Sequence, residues 1–344
     1  MLPQNKAVFE AHGIPRWWDY GIDGSLGLTM SFELFPITPR MNGKVERLFE
    51  DISPFIETWN FYQWHGYITA MTHLEVAPGR KIVSVPMSHS KGADGKIGGF
   101  LVDRLLPWIL EAKPDTAYRS LDDPTKGLDS VFGKVTGFCT LCNAAGNNST
   151  SDYADLIQDA AWLGIGATHF DTLGYVPEDY SSVSEYIDFT ADGYLYATDR
   201  DGSVVGNRGT SLAAPMISGM CALVNHFFIK AIGRSLSLGE MYRFVKAHSK
   251  DIGAPGKDTK TGWGVFILPD PKTINPYDWV DDMTIKMKIG SNVMTVDGKP
   301  IVLEQAPFIA PDTGRTLVPL RSTMEAFGFT VDWNDTTREI TITK

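Results

Sequence analysis

Two periods alternate along the first 270 or so residues of the chain. Leu26 to Phe32, Lys81 to Val85, Thr116 to Leu121, Gly137 to Ala145 and Ala160 to Ala167 are short, nearly continuous apolar runs of strand length. Between and after them, His65 to about Leu74, Phe100 to Ala112, the stretch near residues 125–134, Leu212 to Phe228 and Leu238 to His248 carry helical spacing. Residues 1–24 read as irregular, with Trp17, Trp18 and Tyr20 packed on an edge, and residues 43–60 as a helix or a loop excursion. Strands that are apolar throughout need cover on both faces. The pattern therefore predicts an α/β fold, a mostly parallel sheet with helices on both faces. In such a sheet the chemistry belongs at the carboxyl ends of strands or on the helices that follow.

The pattern changes near the C-terminus. Pro269, Pro271 and Pro276 mark a stiff linker. Beyond it Ile285, Met287 and Ile289 alternate with Lys286 and Lys288, a half-exposed strand, and Asp297-Gly298 is a hairpin turn signal. A short helix follows Pro319, with Gly328 placed to end it, and Arg338 to Lys344 alternates again. The expected division is a large domain over 1–274, a linker over 275–282 and a small α+β domain over 283–344.

Composition narrows the function classes. The 344 residues are 43% hydrophobic and 21% charged, as in a soluble globular protein. A net charge of −10 argues against a nucleic-acid binder, which would show a basic stripe. No apolar run is expected to reach the roughly 20 residues of a membrane helix. The start, Met1-Leu-Pro-Gln-Asn-Lys-Ala7, lacks the basic-then-apolar order of a signal peptide, so none is expected, and the localisation is left open. Cys139 and Cys142 have metal-pair spacing but lie in a strand, where residues three apart face opposite ways. They read as packing. Gly164-x-Gly166 is too short for a dinucleotide fingerprint.

One stretch organises the rest: Asn207-Arg-Gly-Thr-Ser-Leu-Ala-Ala-Pro-Met-Ile-Ser-Gly219. Proline is tolerated in the first turn of a helix, so Ser211 is expected where the helix begins, among free N–H groups and the positive dipole end. Ala213, Ala214 and Gly219 are small enough to let the helix lie close against a sheet. Taken alone, a serine there would be an N-cap. Gly209-Thr-Ser-Leu-Ala-Ala-Pro215, however, resembles the nucleophile motif of the subtilisin-like serine proteases, or subtilases. Two further motifs stand upstream in that family's order. His65-Gly-Tyr-Ile-Thr-Ala70 followed by Val76-Ala-Pro-Gly-Arg-Lys-Ile-Val83 resembles the family's histidine helix, with Tyr67 and Ile68 departing from its pattern. Ala144-Ala-Gly-Asn147 resembles the family's oxyanion motif.

The resemblance implies Ser211 as nucleophile, His65 as general base and Asn147 as oxyanion donor. The orienting acid has two candidates, because the family's Asp-Ser/Thr-Gly is absent. Glu33 ends the first apolar run, 32 positions before His65, a spacing like the family's. Asp19 lies in Asp19-Tyr-Gly-Ile-Asp23, which resembles the family's Asp-Thr-Gly-Ile-Asp but follows a poor strand. Glu33 is favoured. Tyr118-Arg-Ser-Leu-Asp122 resembles the strand that pairs with substrate, implicating Ser120 and Leu121, with Asp122 where the family has glycine.

The implied activity is hydrolysis of peptide bonds by a serine endopeptidase acting on polypeptides, with no cofactor required. Structural calcium is common in that family, but no clustered Asp/Asn loop here places one. The C-terminal stretch, with Gly314-Arg-Thr-Leu-Val-Pro-Leu-Arg321, Glu325-Ala-Phe-Gly328 and Val331-Asp-Trp333, resembles the copper amine oxidase N-terminal-like or stalk domain, often an appended envelope module. It holds neither Cys nor His, so no copper site is expected. The resemblance implies cell-envelope contact and an extracellular or wall-associated alternative to a cytoplasmic default. The rival function is a weak or inactive subtilase-like binding protein, at the envelope or of phage origin.

Overall fold

The structure is a computed structural model that describes residues 1–49, 61–85, 100–120, 129–150, 161–281, 284–296, 299–327 and 329–343. The chain forms two compact units, Met1–Trp279 and Val280–Lys344.

The first unit is built on one sheet. Its strands are β1 (Leu28–Ser31), β2 (Val45–Arg47), β3 (Lys81–Ser84), β4 (Thr116–Arg119), β5 (Thr140–Ala144), β6 (Leu163–Asp171), β7 (Gly174–Pro177) and β8 (Ile187–Asp192). A hairpin of β9 (Tyr194–Thr198) and β10 (Val204–Arg208) stands apart, and β11 (Ser249–Lys250) and β12 (Val265–Phe266) return to the main sheet. The order is β11-β12-β8-β6-β5-β4-β1-β3-β2, with β7 folded back on β6. All these pairs are parallel except β11–β12 and β6–β7.

The helices of this unit are α1 (Lys6–Ala11), α2 (Ile14–Asp19), α3 (Phe61–Val76), α4 (Leu106–Ala112), α5 (Asp129–Phe132), α6 (Thr210–Ile232) and α7 (Leu238–Ala247). The core strands are buried along their length, and the period of two sorts their side chains to two faces. Met30, Val83, Ala117 and Leu141 join Phe32, Leu106, Ile109, Phe132 and Trp162 in one apolar cluster with α4 and α5. The alternate residues Thr29, Ser31, Thr116, Tyr118 and Cys142 are also buried, on the side of α3 and α6. α6 runs across β4, β5, β6 and β8 and packs on α3.

Several expectations need correction. α6, at 23 residues, is long and apolar enough to cross a membrane, against the expectation that no run would be. Almost all of it is buried inside the protein, which accounts for its apolarity without a membrane. Pro215 is not in the first turn but inside α6. Its missing N–H falls opposite the Ser211 carbonyl in the i→i−4 ladder. Gly219 serves α3 rather than the sheet, since a Cβ there would stand 2.9 Å from the Val76 side chain. Residues 6–19, read as irregular, form α1 and α2. They are held by partners far along the chain: Trp17 donates its indole N–H to the Pro269 carbonyl, and Trp18 to the Val76 carbonyl. The strand expected over 160–167 extends to Asp171, and β7 to β10 have no counterpart among the expected elements. Of the stretch 43–60, residues 45–47 form a strand, and 50–60 lie outside the described residues.

The second unit holds β13 (Ile285–Lys286), β14 (Val293–Val296) and β15 (Lys299–Val302) in one antiparallel sheet, two hairpins, β16 (Phe308–Ile309) with β17 (Thr316–Leu317) and β18 (Thr330–Asn334) with β19 (Glu339–Thr343), and the short helix α8 (Leu320–Ala326). It is a small α+β body. Asp297, Gly298 and Gly328 lie outside the described residues.

Candidate active site

Glu33 follows β1 by two residues and is completely buried. Its backbone is fixed by neighbouring strands: the Ser84 hydroxyl donates to the Glu33 carbonyl at 2.8 Å, and the Phe32 N–H to the Tyr118 carbonyl at 3.2 Å. Its carboxylate accepts the Ser120 N–H on Oε1 at 2.8 Å. The other oxygen, Oε2, lies 3.5 Å from His65 Nδ1. A buried carboxyl oxygen needs a polar partner, and the imidazole faces Oε2 at that distance without closing a hydrogen bond.

His65 stands in the second turn of α3. The approach of this helix to the end of β1 depends on its neighbour Gly66. A Cβ there would meet the Leu34 carbonyl oxygen at 2.7 Å and Glu33 Cβ at 3.1 Å. The His65 side chain is 17% exposed, and Nδ1 is buried on the Glu33 side.

Ser211 is the second residue of α6, where backbone N–H groups have no acceptor inside the helix. Gly209 precedes it at φ 152°, and a Cβ on Gly209 would sit 2.9 Å from Ser211 Oγ and 3.4 Å from Asn147 Nδ2. The serine hydroxyl and the asparagine amide thus flank one small space that only glycine leaves open. Asn147 follows β5 and is exposed. Its Oδ1 accepts the Thr210 N–H at 2.7 Å and the Thr210 hydroxyl at 3.0 Å. A backbone N–H can only donate, so Oδ1 is the end of the amide that faces Thr210, and Nδ2 is left as a donor on the other side. Thr210 Oγ1 also accepts the Gly146 N–H at 3.1 Å, tying β5 to α6. Among the described residues Ser211 Oγ makes no hydrogen bond. Such contacts are often long before substrate binds.

Beneath this group lies a buried polar layer that sequence reasoning missed. His73, two turns after His65 on α3, donates from Nδ1 to the Pro215 carbonyl at 3.2 Å, and its Nε2 accepts the Thr29 hydroxyl at 3.1 Å. Burial, helped by the charge of Arg80, pushes its pKa down to about 3, so the ring is neutral. Its face stacks on Tyr118 at 5.4 Å, and burial pushes the Tyr118 phenol up. Arg80 is fully buried, donates to Thr29 and Thr116, and pairs with Asp115. A polar residue at every second position of β1 and β4 was the only signal for this layer.

The other candidates fall as follows. Ser120 is buried, and its N–H bonds Glu33. Leu121 and Asp122 lie outside the described residues. Asp19 is exposed at the end of α2. Its neighbour Trp18 bonds Val76 at the last residue of α3, whereas His65 is near the first. At 1.5 Å per residue those two positions on α3 are roughly 16 Å apart. Cys139, Cys142 and Cys221 are buried free thiols. Among the described residues no group of three or more His, Cys, Asp or Glu side chains could hold a metal ion.

The fold has known counterparts. A lanthipeptide protease superposes with a TM-score of 0.56 at 17% identity, over 77% of this chain and 94% of that one. Fervidolysin from Fervidobacterium pennivorans, a keratinolytic enzyme related to subtilisin, gives 0.58 at 16% identity over 77% of this chain and 45% of its own length. The S41 psychrophilic protease gives 0.55 at 16%, over 72% and 93%. No curated protein matches the sequence. Residues 261–342 match the family model of the copper amine oxidase N-terminal domain. That span begins within the first compact unit, whose last residues pack there: Trp279 lies 5.0 Å from the Phe244 ring. By fold the first unit is subtilisin-like, and residues 261–342 are similar to the copper amine oxidase N-terminal domain.

Proposed function

We propose that the first unit is a serine endopeptidase in which Ser211 attacks the peptide carbonyl. His65 Nε2 takes the hydroxyl proton and returns it to the leaving amine. Glu33 accepts a hydrogen bond from Nδ1–H, which holds the proton on Nδ1 and leaves Nε2 free for its task. The Ser211 N–H and Asn147 Nδ2 donate to the oxyanion at the positive end of α6. The observation that carries this reading is the 3.5 Å contact of a fully buried Glu33 with His65 on α3, the helix that packs against the helix of Ser211. Such roles are recognised by geometry rather than by position along the chain, so a glutamate can stand where an aspartate is usual. The substrate is a polypeptide, and the chemistry needs no cofactor or metal. The C-terminal domain suggests an extracellular or cell-envelope setting. A second reading, a cleft that binds peptides without turnover, draws on Ser211 Oγ making no hydrogen bond among the described residues. Incubating the purified chain with an unfolded protein substrate and sequencing the products by mass spectrometry tests the proposal. New termini with wild type and none with Ser211→Ala support it, and an undigested substrate with wild type supports the binding reading.

A further inference from the structure

The first turn of α3 exposes large aromatic side chains that no packing requirement explains. Phe61 is 67% exposed and Tyr62 63%. Exposed apolar side chains scattered singly are ordinary, but an adjacent group asks for a reason. The Phe61 ring lies 5.8 Å from Tyr62, edge on, 6.3 Å from Trp64 and 6.0 Å from the His65 imidazole. Residues 61 and 65 are one turn apart, on the same face of the helix. α3 is anchored without Phe61, through buried Tyr67, Ile68, Met71 and Leu74. Trp64 donates its indole N–H to Asp199 Oδ2 at 3.1 Å. Asp199 lies in the loop between β9 and β10, and β10 leads directly into Gly209 and Ser211. The aromatic group is therefore held between the candidate base and the hairpin that precedes the candidate nucleophile.

We propose that Phe61, backed by Tyr62, forms the wall of a subsite beside the scissile bond and selects peptides with a bulky aromatic or branched apolar side chain there. The proposal rests on the peptidase reading. On that reading the scissile bond lies at the His65 imidazole, and the Phe61 ring, 6.0 Å from it, stands within a side chain's reach of that bond. An apolar side chain removes its own surface and that of Phe61 from water together, and an aromatic one adds an edge-to-face contact. A charged side chain gains neither and loses hydration.

The test uses the full chain. A peptide library randomised around one cleavable bond first locates the preferred position. Two peptides differing only by Phe or Ala at that position are then compared. Wild type should give a kcat/KM ratio of about 10 or more for Phe over Ala, within the range that apolar pockets discriminate. The ratio should fall to about 2 or less in Phe61→Ala and lie between in Phe61→Leu. A wild-type ratio near 1, or the same ratio in wild type and Phe61→Ala, overturns the subsite. A small alkyl fluorophosphonate separates the two ideas. Ser211 labelled while the ratio is flat removes the subsite alone, and wild type that neither labels nor cleaves removes the peptidase reading and the subsite with it.

Discussion

Replacing Gly66 by alanine tests whether the close approach of α3 to the end of β1 creates the His65–Glu33 contact. The new Cβ would stand 2.7 Å from the Leu34 carbonyl oxygen and 3.1 Å from Glu33 Cβ. One neighbour is backbone and the other is the root of a buried side chain, so neither can swing aside. Ordinary Cβ contacts begin at 3.4 Å, so α3 must retreat by about 0.7 Å and carry His65 with it. The Nδ1 to Oε2 separation, already 3.5 Å, then approaches or passes the limit of an ion pair. A misplacement of about 1 Å can cost roughly 100-fold in rate. We expect kcat/KM on a small chromogenic peptide to fall by about 10- to 100-fold. Stability should move less, because two effects oppose. Alanine is better than glycine inside a helix by about 1 kcal/mol, and forcing a methyl group into a packed contact costs about 1–3 kcal/mol. A net loss of about 0–2 kcal/mol in urea unfolding follows. Gly239 in α7 is the control, since a Cβ there meets nothing within 4 Å. Gly239→Ala should stabilise by about 0.5–1 kcal/mol and leave kcat/KM within about twofold. Wild-type kcat/KM in Gly66→Ala would refute the reasoning, whatever happened to stability.

Three further outcomes are expected. Glu33→Gln removes the charge that holds the His65 tautomer and should lower kcat by about 10⁴ without unfolding the protein, while Asp19→Asn stays near wild type; the reverse pattern would make Asp19 the acid. His73 is held at about 3 in the fold against an ordinary 6.5, so the unfolded chain binds more protons between those values. Stability should therefore rise with pH across that window and fall on acidification, by up to about 1.4 kcal/mol per unit from this group. His226 and His248, also lowered by burial, act with the same sign. Urea midpoints from pH 7 to 5 should decline less steeply in His73→Gln, and equal slopes would contradict the assignment. Finally, a chain ending at Trp279 should fold and keep peptidase activity, whereas one ending at Asn275 loses the Trp279 ring contacts at 5.0 Å with both Phe244 and His248. The shorter chain should be less stable by about 1–2 kcal/mol, and equal thermal midpoints would count against that packing.

The α/β class was legible because buried parallel strands announce themselves as continuous apolar runs, as at Lys81–Ser84 and Thr140–Ala144. What local pattern could not reveal was anything decided by distant partners. α1 and α2 look irregular because His12 and Trp17 face inward to Asp192, Phe266 and Pro269, some 180 to 254 positions away. His73 and Arg80 carry no periodic signal, and Thr29 and Thr116 only the alternation within their strands, since their reason for being buried is one another. The β9–β10 hairpin escapes pattern reading because one face mixes Tyr194, Tyr196, Gly206 and Arg208, while the other offers only Leu195, Ala197, Val205 and Asn207. In the candidate site, Ser211, His65 and Asn147 stand in contiguous motifs. Glu33 has no Asp-Ser/Thr-Gly motif; its claim in the sequence is its place at the end of the first apolar run, after a lead-in Trp18-x-x-Gly-Ile-x-Gly24 that resembles the family's, with its spacing to His65, and the 3.5 Å contact adds a geometric one. Gly66 and Thr210 stand inside the motifs, but their roles as a close approach and a tether, like the exposed ring of Phe61, are set by neighbours that local pattern does not show.

The central claim is that Ser211 is an activated nucleophile. Its most direct test is to treat the purified chain with a fluorophosphonate at neutral pH and locate the adduct by peptide mapping. That reagent requires a serine made reactive by a neighbouring base. The account predicts a single adduct on Ser211, abolished in Ser211→Ala and slowed strongly in His65→Ala. Modification of a different serine, or none of Ser211 after prolonged exposure of folded protein, would contradict it.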